Sequence, residues 1–432
     1  MCYKKKGMTG KIRIAYICTF SNKDVRSRLN FHVGWATRIM WKLLRNHVPE
    51  SPDDVGVWNT NAIHEFEHVD DVELHVITPC PYLSSKLQEF VLNGIHYHFF
   101  RDETSLFFVS IYFKIVRPQK YSYRSNRKIV RKLIERIQPD LVHMVGAENP
   151  TYTTSLFDIP KSIPTILQLQ TLINDPEFLS HYPIDKRSYA HRSSVEMRAI
   201  MRTDYLGVRA KKYLKILKED IMPNGEILNI GLALTEKIKI EPVKKQYDFV
   251  YFANDLSKAG DLALEAFGIA HTHNPHITLN IVGGCGEVFK QQLNNIVERY
   301  NIADVVSFEG KLETHDNVLN QISKSRFALL PLRIDLTSGT IREAIARGLP
   351  VITTDTGSMG TQQLNIDSQC VLLSPKDDAQ SLADNMLRIL NDPELANTLV
   401  KNAIQRQEKK YSNERIVKEY VDAYRYCIQS KK

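Results

Sequence analysis

The chain has 432 residues, which gives room for about two domains of ordinary size, each with its own core. Its hydrophobic content of 43% and charged content of 25% are typical of a soluble globular protein, and no stretch approaches the ~20 apolar residues that would cross a bilayer. The formal net charge of +8 raises the question of a nucleic-acid partner, but no recognised binding motif accompanies it, so we expect none.

The first apolar run, Ile12–Phe20, predicts a core strand. Arg13 interrupts the run and no small-residue cleavage site follows it, so a strand fits better than a signal peptide. A helical pattern around Phe31–Leu44 comes next, and a basic amphipathic helix over Arg127–Ile137 ends before Pro139. The other strands predicted in this half are Val72–Thr78, Ile95–Phe100, Leu141–Gly146 and Thr165–Gln170.

The second half alternates apolar strands and helical patterns more regularly, with helices such as Leu262–Ala270 and Phe289–Arg299 between the strands. Because this alternation is typical of parallel sheets covered by helices, each half is predicted to be a doubly wound α/β domain. A polar connector, residues 235–247, is predicted to be the hinge between them. The predicted strands here are Asp248–Ala253, Ile277–Gly283, Val305–Glu309, Phe327–Leu332, Val351–Thr354 and Cys370–Leu373.

The cysteines and the basic clusters bear on where the protein works. The six cysteines are scattered without CxxC pairs, which predicts reduced thiols in the cytoplasm rather than disulfides or metal ligands. Basic clusters at Lys4–Lys6, Arg117–Arg136 and Lys211–Lys218 favour a face that rests on an anionic membrane, on its inner side. Solvated helix faces with no special partner explain the same charges equally well.

The most informative stretch is residues 331–357, in which a buried strand leads through a polar loop into a helix and a second strand. Residues 337–340 place hydroxyls and a glycine where the helix begins, so its free N–H groups and dipole form an anion site. Asp335 and Glu343 bracket the site, and carboxylates suit sugar hydroxyls better than phosphate. The combination predicts a nucleotide-sugar site; an ordinary strand–helix–strand unit leaves the acid spacing unexplained.

The same residues resemble retaining GT-B glycosyltransferases of the family-4 (glycosyl transferases group 1) type. Asp335-x7-Glu343 stands at the family's Glu-x7-Glu, and Gly348, Pro350-Val351-Ile352 and the Asp355-x-Gly357 follow at matching positions. The resemblance implies two Rossmann-like domains facing a cleft. The acceptor-binding domain would span residues 1–234, the linker 235–247 and the nucleotide-sugar-binding domain 248–411. The helix at 412–432 would pack back on the first domain.

The resemblance also assigns roles. Lys258, in a segment similar to the family's Arg-x4-Lys-Gly-x-Asp-Leu, is the candidate cation for the departing diphosphate. Gly283 and Gly284 resemble a glycine turn near the nucleotide, although a tight strand-to-helix turn alone is nearly as good an explanation. The predicted catalytic residues are Lys258 and Asp335, and the predicted nucleotide-sugar-binding residues are Glu343, Ser338, Gly339, Thr340, Gly283, Gly284 and Gly34.

Two departures from the family pattern matter. The family's arginine has no counterpart here, so Arg333 and Arg342 beside the loop are candidates to replace its charge, and Asp335 is one methylene shorter than the family's glutamate. No Asp-x-Asp loop suited to a metal–diphosphate complex is evident, so we expect no metal and no cofactor besides the donor. In the same-face displacement proposed for the family, no protein base is needed.

We therefore predict a metal-independent, retaining hexosyltransferase that moves a sugar from a nucleotide-diphosphate sugar to a glycan or polyprenyl-linked acceptor. Surface polysaccharide or lipopolysaccharide assembly is the expected setting. Two alternatives stay open: a catalytically weak, nucleotide-sugar-binding partner subunit, suggested by Asp335 and the missing arginine, and another GT-B enzyme such as a nucleotide-sugar epimerase.

Overall fold

The structure, a computed structural model, describes residues 10–45, 52–106, 109, 121–181, 184–253, 258–334, 339–357 and 359–431. Its internal contacts divide the chain into two compact units. Unit 1 is Met1–Ala233 together with Asn413–Lys432, and unit 2 is Leu234–Ser412.

The strands that the structure describes in unit 1 form one eight-stranded sheet in the order β3-β4-β2-β1-β5-β6-β7-β8. Neighbouring strands run parallel, except for the antiparallel β3–β4 pair. The strands are β1 (Ile12–Ile17), β2 (Val72–Cys80), β3 (Leu87–Leu92), β4 (Ile95–Arg101), β5 (Leu141–Val145), β6 (Thr165–Gln168), β7 (Tyr205–Gly207) and β8 (Glu226–Leu228). Every residue of β5 is buried, as expected for a central parallel strand with both faces covered.

The helices of unit 1 cover its sheet and include the last helix of the chain. They are α1 (Lys23–Arg26), α2 (Trp35–Arg45), α3 (Val57–Phe66), α4 (Arg124–Ile137), α5 (Pro150–Thr153), α6 (Phe178–His181), α7 (Lys186–Arg202), α8 (Lys211–Ile216) and α15 (Asn413–Ser430). Tyr424 of α15 stacks on Phe66 of α3 with ring centroids 6.2 Å apart. Its hydroxyl lies 2.7 Å from Nδ1 of His143 on β5, so α15 completes the core of this unit.

The described strands of unit 2 form a six-stranded sheet in the order β11-β10-β9-β12-β13-β14, with every pair parallel. They are β9 (Tyr247–Phe252), β10 (Leu279–Val282), β11 (Val306–Gly310), β12 (Ser325–Leu329), β13 (Val351–Thr354) and β14 (Leu372–Ser374). The prediction of α/β units built on parallel sheets is thus confirmed for both halves of the chain.

Helices separate the strands of unit 2: α9 (Gly260–His273), α10 (Glu287–Tyr300), α11 (His315–Ile322), α12 (Gly339–Ala346), α13 (Ala379–Asn391) and α14 (Pro393–Tyr411). Helix α12 ends at a left-handed glycine. Gly348 adopts φ +70°, and the Leu349 N–H donates to the Ala344 carbonyl at 3.0 Å. A left-handed glycine after a helix allows the carbonyls of the last turn to be satisfied in this way.

The segment predicted to be the connector, residues 235–247, lies within unit 2. The Thr235 hydroxyl donates to the Tyr411 carbonyl at 2.6 Å, and the Lys239 N–H donates to the Ala346 carbonyl at 2.9 Å. Among the described residues, no helix is both long enough and apolar enough to cross a bilayer.

Candidate functional site

Three loops of unit 2 meet at one edge of its sheet. Strand β9 lies between β10 and β12, and the three strands are parallel, so the loops that follow them leave from the same carboxyl edge. These loops carry Lys258 after β9, Gly283 and Gly284 after β10, and the segment leading into α12 after β12. Ligands of open parallel sheets bind outside this edge.

The turn after β10 requires glycine at its first position. Gly283 has φ +132°, and a Cβ there would lie 1.9 Å from the Ala253 carbonyl oxygen. Its N–H donates to the Gly310 carbonyl at 2.9 Å, which ties the turn to the end of β11. At Gly284 a Cβ would lie 3.3 Å from the Lys311 side chain, a tight but less severe approach. The turn is therefore both a structural necessity and a place where backbone can approach a ligand closely.

Lys258 lies in the turn two residues before α9 and is partly buried. Its carbonyl accepts a hydrogen bond from the Tyr251 hydroxyl at 2.7 Å, and the following residue, Ala259, is buried in a left-handed conformation at φ +55°. A non-glycine residue in that region is strained, so the surrounding packing holds the loop in place. The positive charge of Lys258 acts on Glu343, which brings these two predicted residues into one electrostatic neighbourhood.

Glu343 occupies the second turn of α12 and turns back toward the start of that helix. A Cβ built at Gly339 would be 3.8 Å from Glu343 Oε1. Burial raises the pKa of Glu343, the charges of His315, Lys258 and Arg347 lower it, and the charge of Glu236 raises it. A partly buried carboxylate flanked by cations is suited to accept hydrogen bonds from neutral hydroxyls.

His315 is a member of this cluster that the sequence analysis missed. It is the first residue of α11, and its Nε2 lies 3.3 Å from Glu236 Oε1. Burial lowers the pKa of His315, but the hydrogen bond with Glu236 and the charge of Glu343 outweigh burial and raise it. The available signal was its place directly after the N-cap Thr314, downstream of a strand of the same sheet.

The other residues predicted for the donor loop fall into three groups. Asp335 and Ser338 lie outside the described residues, so their roles stay predictions. Gly339 and Thr340 form the first turn of α12 as it is described. Arg333 forms a bidentate ion pair with Asp261 at 2.8 and 3.0 Å and also contacts Asp377 at 2.6 Å, so its charge is already balanced within the protein.

Gly34 belongs to unit 1, whereas the donor loops belong to unit 2. It precedes α2, and its carbonyl accepts the Arg38 N–H at 3.0 Å. A Cβ at this position would meet no atom within 4 Å among the described residues. The local backbone therefore does not itself demand glycine there.

Unit 1 has a cavity of its own at the carboxyl end of β5, with a volume of about 420 Å³. Glu148 lies in this cavity, and its Oε2 is buried without a hydrogen-bond partner among the described residues. Burial raises the pKa of Glu148 to about 7; the charge of Glu196 adds to this, and that of Arg192 opposes it. The other lining residues are Tyr123, Asn149, Pro150, Thr151, Ser188, His191 and Arg192.

The loop that presents Glu148 depends on a second glycine. Gly146 has φ +96°, and a Cβ there would lie 2.4 Å from the Tyr152 hydroxyl and 2.8 Å from Glu148 Oε1. The Tyr152 hydroxyl donates to the Val145 carbonyl at 2.7 Å, which fixes the approach. Sequence analysis missed this site because its walls come from three separated parts of the chain. The one local signal was an acid directly after a predicted strand.

Comparisons with known proteins agree with this architecture. Residues 235–406 match the family model described as glycosyl transferases group 1. An uncharacterized glycosyltransferase of Methanocaldococcus jannaschii is 23% identical over 350 residues, which cover 80% of this chain and 88% of that protein.

Solved structures of two synthases resemble the whole chain. Sucrose-phosphate synthase from Thermosynechococcus elongatus superposes with a TM-score of 0.66 at 17% identity, covering 97% of this chain and 100% of that one. Trehalose 6-phosphate synthase from Burkholderia multivorans superposes with a TM-score of 0.64 at 11% identity, covering 97% and 98%. At these identities the likeness shows the fold alone. The chain has the GT-B fold, and residues 235–406, less than half of its length, are the part that matches the family model of glycosyl transferases group 1.

Proposed function

We propose that the protein is a retaining, metal-independent glycosyltransferase whose donor is a nucleotide-diphosphate sugar and whose acceptor is a glycan or a polyprenyl-linked glycan. Lys258 stabilises the departing diphosphate, and Glu343 accepts hydrogen bonds from the ribose hydroxyls. Asp335 holds hydroxyls of the sugar ring. The observation that carries the proposal is the meeting of Lys258, Glu343 and the Gly283 turn at one sheet edge.

The start of α12 supports a diphosphate site next to these side chains. The first N–H groups of a helix have no partner inside the helix and carry the positive end of its dipole. Gly339, the first described residue of α12, provides such a group, and Ser338 and Thr340 are proposed to belong to the same site. A solved GT-B neighbour from Anabaena, 13% identical with a TM-score of 0.59, was obtained in complex with UDP, which supports a nucleoside diphosphate as the ligand class.

The chemistry follows from leaving-group stabilisation and orientation. The bond between the anomeric carbon and the diphosphate oxygen breaks, and a bond to the acceptor oxygen forms on the same face of the sugar. The acceptor proton passes to the departing phosphate oxygen, so neither a protein base nor a metal ion takes part. The donor is a substrate, and we infer no further cofactor.

The acceptor is proposed to bind in unit 1 at the Glu148 cavity. A buried carboxylate oxygen without a partner is costly unless a ligand satisfies it. A hydroxyl of a sugar acceptor donates the hydrogen bond that Glu148 lacks. Arg192 and His191 line the same cavity and add donors for a polar or phosphorylated acceptor.

Exposed side chains of α2 favour a proposed location at the inner, cytoplasmic face of a membrane. This location would suit a role in surface polysaccharide or lipopolysaccharide assembly. Trp35 is 77% exposed and Ile39 is 53% exposed, while Arg38 and Lys42 on the same helix are exposed cations. Exposed apolar and basic side chains on one helix are typical of contacts with anionic lipid surfaces. Binding to anionic vesicles should then weaken as salt is raised.

A partner subunit that binds the donor without turning it over is the second candidate. It is favoured by the pairing of Arg333 with Asp261 and Asp377, which leaves Lys258 to neutralise the diphosphate without a neighbouring arginine from that position. A nucleotide-sugar epimerase remains a third GT-B possibility.

A panel of nucleoside diphosphates and their sugars tests these functions together. We expect saturable binding of one nucleoside diphosphate, measured by calorimetry, and release of that diphosphate from its sugar when an acceptor is present. Binding without release under any acceptor condition favours the partner subunit. Conversion of the sugar without transfer favours the epimerase.

A further inference from the structure

A cluster of histidines and carboxylates occupies the other end of the unit 1 sheet, at the amino ends of its strands. His75 on β2 is paired in register with His96 on β4, and Glu73 precedes His75 by two residues, so their side chains share one face. Glu73 and His96 are each the second residue of their strand. The Glu148 cavity follows the carboxyl end of β5, so the cluster is separate from it.

Hydrogen bonds connect this cluster into a linear chain. His75 Nε2 lies 2.9 Å from Glu73 Oε1, and His75 Nδ1 lies 3.0 Å from His98 Nε2. His98 Nδ1 lies 2.5 Å from Glu89 Oε1. Arginines close both ends: Arg13 pairs with Glu73 at 2.9 and 3.3 Å, and Arg136 pairs with Glu89.

Two neutral imidazoles provide one proton too few for the three contacts that the histidines make. Each neutral imidazole has one N–H, so His75 and His98 together supply two protons for three contacts. If His98 donates to Glu89 and His75 donates to His98, the Nε2 lone pair of His75 faces the Glu73 carboxylate at 2.9 Å. A cation between those two atoms removes the repulsion.

We propose that Glu73, His75 and His96 bind a divalent transition-metal ion, for which Zn²⁺ is the best match. Their ligand atoms all lie within 4.8 Å of one another. Two ligands of a tetrahedral zinc ion are about 3.3 Å apart when each bond is about 2.0–2.1 Å. Small side-chain rotations therefore bring the three groups to the ion, and water takes the fourth position.

The surrounding residues have the arrangement that metal-bound histidines need. His75 would give its Nε2 to the ion and donate its Nδ1 proton to His98, which in turn donates to Glu89. Such outer partners fix the tautomer of a ligating histidine and orient its ring. His96 stacks on His75 with centroids 4.6 Å apart, which holds the second imidazole beside the first.

The contacts of Glu73 are compatible with a role as a metal ligand. Arg13 contacts both oxygens of Glu73, and Oε2 would keep that contact while Oε1 binds the ion.

The test uses the full-length protein after treatment with a chelator. Zn²⁺ is titrated by calorimetry, and Co²⁺ by its absorption spectrum, which reports tetrahedral nitrogen and oxygen ligands. We expect one equivalent to bind with a Kd below about 1 µM. His96→Ala should weaken binding at least about 100-fold, and His98→Gln, which leaves the ligands in place, should weaken it about 10–100-fold.

His64→Ala is the matched control, because His64 is an exposed histidine on α3 of the same unit and should bind metal like the unaltered protein. Circular dichroism checks that each variant is folded, and His96→Ala disturbs the fold least because the described contacts of His96 are a ring stack. Absence of binding by the unaltered protein, or equal binding by His96→Ala, would overturn the proposal. If the unaltered protein binds no ion, the contact between His75 and Glu73 holds a proton instead.

Discussion

The carboxyl edges of the two sheets have similar structural features but different electrostatics. Each edge has a glycine turn that excludes a side chain and a partly buried glutamate with a raised pKa. Glu343 of unit 2 is surrounded by the charges of Lys258, His315 and Arg347, which oppose the effect of burial. Glu148 of unit 1 has an unpartnered oxygen and a pKa of about 7.

This electrostatic difference indicates which kind of ligand each edge is suited to bind. An acid with cations around it suits a site for a charged donor such as a diphosphate, because the same cations can contact the donor. An acid with an open acceptor atom is completed by the ligand itself. The two glutamates are therefore expected to respond differently to substitution and to pH.

The largest effect is expected from Lys258→Ala. Turnover should fall about 100-fold or more, because a charge-assisted hydrogen bond is worth about 1.5–3 kcal/mol and more where charge develops in the transition state. Release of nucleoside diphosphate measures the rate. Lys401→Ala, at an exposed position on α14, is the matched control and should keep full activity. Equal rates for both variants would remove Lys258 from the site.

Glu343→Ala should weaken nucleotide binding by about 10–100-fold, because hydrogen bonds to a charged group are lost. Calorimetry with the nucleoside diphosphate measures the change, and Glu408→Ala, at an exposed position, serves as the control. If affinity is unchanged, Glu343 has no role with the ribose, and the contrast between the two edges would rest on unit 1 alone.

Gly283→Ala tests the glycine turn of unit 2. A Cβ 1.9 Å from a carbonyl oxygen, at φ +132°, forces the backbone to move, and we expect a loss of about 1–3 kcal/mol in the free energy of unfolding. Gly286→Ala in the same loop, where a Cβ meets nothing within 4 Å, should stay within about 0.5 kcal/mol of the unaltered protein. Denaturant unfolding distinguishes them; equal stabilities would contradict the described turn.

The smallest effect on activity is expected from Glu148→Gln, in the dependence of kcat/KM on pH. The Glu148 carboxylate forms above its pKa of about 7, so kcat/KM for the acceptor should rise by up to about tenfold from pH 6 to pH 8 and then level off. The glutamine variant should give a flatter profile. A profile identical to that of the unaltered protein would exclude Glu148 from acceptor binding.

The pH dependence of the stability of Glu148→Gln is a second, independent test of the raised pKa of Glu148. Burial raises the folded pKa of Glu148 from 4.5 to about 7, so its stabilising contribution is complete below pH 4.5 and is lost as pH rises through about 7. Glu148→Gln should remove that loss, and its melting temperature should fall less between pH 5 and pH 8. A parallel fall in both proteins would contradict the shift.

In unit 2, local sequence patterns predict several strands and helices but not all of their ends. The strands β12 and β13 and the helix α12 between them were predictable because two apolar runs, with Gly348 and Pro350 before the second, lie within one short stretch. Val351–Thr354 was predicted with the bounds that the structure has, whereas the first strand, predicted as Ile12–Phe20, ends at Ile17. Hydrogen bonding to the neighbouring strand decides such ends, and apolar composition does not report it.

The other contacts of the sites depend on residues far apart in sequence. His315 reaches Glu236 across 79 positions, and the ion pair of Arg333 with Asp261 spans 72. The Glu148 cavity needs α7, which carries His191 and Arg192 and was not predicted. Nothing in the local pattern near these residues reports their partners, because the fold brings them together.

Helix α15 has a consequence for how the protein is made. The hydroxyl of Tyr424 meets His143, 281 positions earlier in the chain, inside the core of unit 1. While the ribosome is still producing unit 2, the face of unit 1 that α15 will cover, which includes Phe66 and His143, is bare, although most of unit 1 has already emerged. Unit 1 therefore reaches its mature form after unit 2 has been translated, and a chain that ends before Asn413 would leave this face exposed.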